Sequence, residues 1–182
     1  LPVGFATSGY VGHYWSGGLE LSAMMLSEYA ATQNKKFLTD TLLPLADAVV
    51  TFYDRHWKRD AAGKIFFDSA QSLETWQTAT NPTPIIAGLK YVLARLMALP
   101  TDLTTTNQRA AWKQTLSDLP DIPQKQENGK HFLLPAAVFG KLSNSENPEL
   151  YAVFPYGIYG IGKDSLETAI RSFYARVNRE NR

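Results

Sequence analysis

Trp15-Ser16-Gly17-Gly18-Leu19-Glu20-Leu21-Ser22-Ala23-Met24-Met25-Leu26-Ser27-Glu28-Tyr29-Ala30-Ala31-Thr32 is the stretch on which the fold reading turns. Leu19, Ala23, Leu26 and Ala30 recur at three- and four-residue steps, with Met25 and Tyr29 beside them. That is the spacing of one apolar face of a helix. Asn34 breaks the pattern, and a second helical stretch runs from Phe37 to Trp57, carrying Leu38, Leu42, Leu45, Val49, Phe52 and Tyr53. Pro44 lies inside it and marks a fresh helical start or a kink, because proline lacks the N–H and crowds the preceding turn.

The same signal returns further on. Residues 58–84 read as non-helical, with a turn at Asp60 to Gly63 and a short strand-like run, Ile65-Phe66-Phe67. Asn81-Pro82-Thr83-Pro84 opens a third helix that runs from Ile85 to Leu99 and stops at Pro100. Thr105-Thr106-Asn107-Gln108 is a capping box for a fourth helix reaching about Leu119. Residues 121–130 read as a polar loop. Asn147-Pro148-Glu149 predicts the start of a fifth helix. Asp164-Ser165-Leu166-Glu167 predicts a capping box for a last one, ending near Val177. The expected fold class is all-α, built of helical hairpins, and no internal repeat supports a solenoid.

Composition narrows the functions. The chain has 182 residues, 45% of them apolar and 12% aromatic, enough for one domain with a sizeable core. Eighteen basic residues face seventeen acidic ones for a net charge of +1, which gives no electrostatic reason to expect nucleic acid or a membrane surface as partner. There is no cysteine, so a disulfide framework and thiol chemistry are excluded. No apolar run approaches the roughly 18 residues that span a bilayer.

Several motif-like features fail on chemistry. Gly157 to Lys163 fits G-x-x-x-x-G-K, but Pro155 interrupts the approach and Asp164 replaces the required hydroxyl, placing an anion where phosphate would sit. Tyr14 takes the glycine position that a nucleophile elbow at Ser16 needs. His13, His56 and His131 are far apart and have no second ligand nearby, so no metal is expected. Asp54, Asp60 and Asp68 lack calcium-loop spacing.

Carboxylates and aromatics coincide at three places instead. Gly12 to Glu20 includes His13, Tyr14, Trp15 and Glu20. Ser69 to Trp76 includes Glu74 and Trp76, with Asn81 close behind. Ser145 to Tyr151 includes Glu146 and Asn147. Sugar hydrolysis needs this mixture: flat aromatic faces for pyranose C–H surfaces, amides for hydroxyls, and two carboxyl groups as acid and base. Glu74 is the candidate catalytic acid, because Leu73 and Trp76 offer the apolar neighbourhood that a proton donor at neutral pH requires. The expected substrate contacts are His13, Tyr14, Trp15, Glu20, Trp76, Asn81, Glu146 and Asn147.

At these clusters the sequence resembles the six-hairpin glycosidases, and most of all family 95 of the glycoside hydrolases with its bacterial relatives. His13-Tyr14-Trp15-Ser16-Gly17-Gly18-Leu19-Glu20 is similar to that family's Asn-Tyr-Trp-Pro-Ala-Glu passage. Ser69-Ala70-Gln71-Ser72-Leu73-Glu74 is similar to its Pro-Ser-Leu-Ser-Pro-Glu passage, which holds the general acid. The stretch from Glu146 to Pro155 is similar to a histidine-rich passage near the sugar. The resemblance implies part of an (α/α)6 toroid, in which loops before alternate helices converge on one cavity. It also implies hydrolysis of an O-glycosidic bond with inversion, by carboxylates alone, without cofactor or metal. Only Glu74 matches an established role residue by residue. His13 stands where the family has asparagine.

In those relatives the catalytic base follows the helix matching residues 165–177. The expectation is therefore that residues 1–182 are a region of a larger catalytic domain whose remainder is a partner and carries the base. Within this chain the second carboxylate would be Glu20, Glu146 or Glu149. The expected ligand is an oligo- or polysaccharide, and the resemblance favours a periplasmic or secreted setting. The competing reading is a non-catalytic helical carbohydrate-binding or scaffold fragment. A polysaccharide lyase is disfavoured, since uronate substrates call for positive charge.

Overall fold

The computed structural model describes residues 14–176. Its first helix, α1 (Gly17–Thr32), buries Leu19, Ala23, Leu26 and Tyr29, the face expected from their spacing. It ends at Gln33, whose left-handed backbone lets its N–H donate to the Tyr29 carbonyl. The next helix begins as α2 (Lys35–Phe37), with Asn34 capping the Phe37 N–H. It then widens into a π-helical turn over Leu38–Leu42 and resumes as α3 (Leu43–His56). Pro44 falls in the first turn of α3. The π turn makes room for a ring that would otherwise crowd the carbonyl four residues back.

α4 (Thr83–Met97) is the central element. Every residue from Thr83 to Leu89 is buried, and Val92, Leu93 and Leu96 continue the inward face. At Gly88 the packing is closest. A Cβ there would lie 2.9 Å from the Tyr156 hydroxyl oxygen and 3.0 Å from Leu19 Cδ1. Only glycine lets α1, α4 and the segment around Tyr156 meet at this distance. α5 (Thr106–Asp118) carries the expected capping box between Thr105 and Gln108. Its Trp112 is fully buried and donates Nε1–H to Asp47 Oδ1 at 2.8 Å, tying α5 to α3. α6 (Leu166–Ala175) is the last element among the described residues, with Ser165 at the N-cap position and no side-chain capping bond.

The all-α expectation, and with it the (α/α)6 toroid of helical hairpins, is corrected. The chain is mixed α/β, with two antiparallel sheets. β1 (Ala70–Ser72), β2 (Trp76–Pro82) and β5 (Ala136–Phe139) form one sheet in the order β1-β2-β5. β3 (Gln124–Glu127) and β4 (Lys130–Leu133) form a separate hairpin. The polar stretch read as a loop is that hairpin. Asn128 and Gly129 both take positive φ, 50° and 72°, the backbone a two-residue primed turn demands. The expected fifth helix is a single 3-10 turn, Pro148–Ala152, because Pro155 and the glycines after it cannot prolong it. Ile65 to Phe67 forms only a bridge, between Ile65 and Arg59.

Two buried hydroxyls tie β1 and the start of α4 to the segment that leads into β5. Ser72 Oγ donates to the Pro135 carbonyl at 2.5 Å, and Thr83 Oγ1 to the Leu134 carbonyl at 2.5 Å. The strand β2 therefore runs straight into the most buried helix. The β1–β2 turn at its far end is anchored through that strand.

Candidate active site

Three segments expected to be functional approach one another: the start of α1, the β1–β2 turn and the loop after β5. Glu20 lies on the first turn of α1, and Tyr14 Oη donates to its Oε1 at 3.3 Å. Glu74 sits in the turn Leu73-Glu74-Thr75, which a positive φ of 53° at Leu73 helps to fold. The loop after β5 continues alongside β2, with Gly140 N–H donating to the Thr78 carbonyl and Ser143 N–H to the Thr75 carbonyl. This brings two side chains to the turn. Asn144 Nδ2 donates to Glu74 Oε2 at 2.8 Å. Glu146 Oε2 accepts from the Glu74 N–H at 2.9 Å and from Thr75 Oγ1 at 3.1 Å.

Tyrosines join the two ends. Burial, then the negative charges of Glu20 and Glu146, push the Tyr14 hydroxyl above the ordinary tyrosine value, while a hydrogen bond with Ser16 pulls the other way. Tyr151 is raised further by burial, by Glu20, by Tyr14 and by Glu146, and it shares a hydrogen bond with Tyr14. Tyr156 and Tyr53 are raised first by burial and next by Glu20. These four hydroxyls stay protonated through the neutral range. Glu20 accepts from the Tyr14 hydroxyl, and Tyr14 and Tyr151 feel both Glu20 and Glu146.

Other expected residues serve the scaffold. Trp15 packs against Phe52, His56 and Trp57, with ring centroids 5.4 to 6.0 Å apart, and its carbonyl accepts from Tyr53 Oη. Trp76 lies against Phe139 of β5 at 4.8 Å. Leu73 is buried as well, so the apolar pair expected to surround Glu74 is occupied in packing. The contact formed by the Glu74 carboxyl is polar, through Asn144. Asn81 Oδ1 accepts from the Phe67 N–H at 2.9 Å while its own N–H donates to the Phe67 carbonyl at 2.8 Å, a local brace at a left-handed position. Asn147 caps the 3-10 turn, and its carbonyl accepts from the Leu150 N–H. His13 lies outside the described residues.

Asn144, Thr75, Tyr151 and Tyr156 were not among the expected site residues. Asn144 and Tyr151 adjoin the Glu146 passage, and Thr75 adjoins Glu74, so proximity in sequence was their one signal. Tyr156 had none. Among the described residues, no group of three or more histidines, aspartates or glutamates is placed to share a metal ion. The arrangement can hold a neutral polar ligand through carboxylates and hydroxyls, and can exchange a proton at Glu74 or Glu20. No family model matches the chain, and comparison with curated proteins finds no match.

Proposed function

We propose that the chain hydrolyses a glycosidic bond, with Glu74 as the proton donor and Glu20 as the second carboxylate. The observation that carries the reading is the convergence of Glu20, Glu74 and Glu146 through Tyr14, Tyr151, Thr75 and Asn144. In this reading Asn144 fixes one oxygen of Glu74 and leaves the other to carry the proton. Glu146 is a positioning residue, because it accepts from the backbone N–H of Glu74 and from the Thr75 hydroxyl and so holds the turn in place. Glu20 is held by a tyrosine hydroxyl and serves to activate water or to steady positive charge on the sugar ring. The resemblance of the Glu74 passage to that of the family 95 glycosidases supports the same assignment.

One observation favours a second reading, that of a non-catalytic sugar-binding site: all three carboxylates already accept protein hydrogen bonds. Product release separates the two. A panel of aryl glycosides should be hydrolysed by the chain, and Glu74→Gln should lower kcat by about 100- to 10,000-fold, the usual contribution of general acid catalysis. Glu20→Gln should also be strongly impaired. Sugar binding with no released aglycone would support the second reading, and undiminished turnover by Glu74→Gln would remove that residue from the role.

A further inference from the structure

Glu20 and Tyr151 also border a hollow of about 810 Å3, bounded by α1, by Tyr91 of α4 and by Phe154 and Pro155 after the 3-10 turn. That volume falls in the ~300–1,000 Å3 range of small-molecule sites. On the α1 side its lining residues include Glu20, Met24, Ser27 and Glu28. Their three- and four-residue steps put them on one helical face. Met24 is 69% exposed and Phe154 80% exposed. Two large apolar side chains are thus held out to water at a hollow that also presents tyrosine rings, a serine hydroxyl and two carboxylates.

Among the described residues, no lysine or arginine lines this hollow. Arg95 places its guanidinium 5.6 Å from the Tyr91 ring centroid, but it borders a separate hollow with Tyr29 and Pro100. A ligand here meets aromatic faces, hydroxyls and negative charge. Aromatic faces suit the C–H surface of a pyranose, and carboxylates accept from its hydroxyls or from an amine. A uronate or sulfated sugar would bring a like charge beside Glu20 and Glu28, with no cation among the described lining residues to offset it.

We infer that this hollow is an additional sugar subsite, continuous with the Glu20 end of the site, which takes a neutral or amino-bearing unit of a longer glycan and rejects anionic units. The inference rests on the proposed glycosidase reading and specifies its substrate class. It makes the preferred substrate an oligosaccharide.

The test is binding by calorimetry and hydrolysis by this chain, with short and long gluco-, manno-, galacto-, xylo- and chitosan oligosaccharides beside oligogalacturonates. Phe154→Ala, Glu28→Gln and Glu28→Lys are the variants, each checked for unchanged melting. In the series that binds, the longer oligomers should bind more tightly than the short ones. Phe154→Ala should remove about tenfold of that gain while leaving the shortest ligand unaffected. Oligogalacturonates should fail to bind the unaltered chain, and Glu28→Lys should narrow that discrimination more than Glu28→Gln does.

Equal affinity for short and long oligomers, indifferent to Phe154, would overturn the subsite while leaving the glycosidase reading standing. Preferential binding of oligogalacturonates would overturn the stated specificity. Failure of every sugar to bind or react would overturn both.

Discussion

Glu20 stands on the first turn of α1, a helix of 16 residues whose inner face is sunk into the core. Glu74 stands on the short turn between β1 and β2, held by Asn144 and Glu146 from the loop that follows β5, and Glu146 also accepts from Thr75 of the same turn. The first support is apolar packing, which is non-directional and large in sum. The second is a set of directional bonds, each contributing on the order of 1 kcal/mol and each setting an angle. Damage to the first should therefore appear as lost stability, and damage to the second chiefly as lost alignment.

The comparison is open to breaking from the helix side first. Leu19 is fully buried one residue before Glu20. Leu19→Ala should cost about 2–5 kcal/mol in urea unfolding, by lost transfer energy plus the cavity left behind. Gly88→Ala pushes a methyl group against the Tyr156 hydroxyl and Leu19. It should cost about 1–3 kcal/mol by overpacking. Near-unchanged unfolding midpoints for both would mean that packing does not support this end.

On the turn side, Glu146→Ala removes the acceptor for the Glu74 N–H and the Thr75 hydroxyl. It should cost about 1–2 kcal/mol of stability. Its larger effect should be on kcat, with KM changing less. Equal losses of stability from Glu146→Ala and Leu19→Ala would erase the distinction between the two supports.

pH separates the regions more gently. Tyr14, Tyr53, Tyr151 and Tyr156 are all raised above the ordinary value of 10.0, first by burial. Below about pH 10 these tyrosines are protonated in both folded and unfolded chains, and their contribution is fully retained. Above it the unfolded chain releases protons that the folded chain keeps, so stability falls as pH rises. Melting temperature should hold steady through neutral pH and decline from about pH 10 upward.

Tyr156→Phe should lessen that decline. At neutral pH it should change stability by less than about 1 kcal/mol, because the buried hydroxyl has no hydrogen-bond partner among the described residues. A steep loss of stability at neutral pH in this variant would show that the hydroxyl is bonded in solution.

The same contrast explains what could be read from residue order. α1, α3 and α4 announce themselves through apolar steps, and α5 through Thr105 and Gln108, because a helix writes its periodicity and caps locally. The sheet is different. β2 shows no alternating burial, since Trp76, Ala79 and Pro82 are its buried positions. β1 has three residues, all buried. Neither presents the period-two pattern that would reveal a strand. The β3–β4 hairpin was legible at Asn128-Gly129, a strong local turn signal that the polar composition around it obscured.

For the site, residue type indicated Tyr14, Glu20, Glu74 and Glu146, which the fold brings near one another. Residue type alone gave no orientation, so Trp15, Trp76 and Asn81 looked equally suited to sugar, although the two tryptophans pack against Trp57 and Phe139 and Asn81 bonds the Phe67 backbone.

The central claim is that the α1 end and the β1–β2 turn form one binding site. Titration of the isotope-labelled chain with the tightest oligosaccharide of the panel, followed by amide NMR, tests it most directly. Resonances around Glu20 and Tyr151 and those of Leu73 to Thr75 should shift together, along one saturation curve with a single Kd. Shifts confined to one end, or two curves with different midpoints, would contradict it.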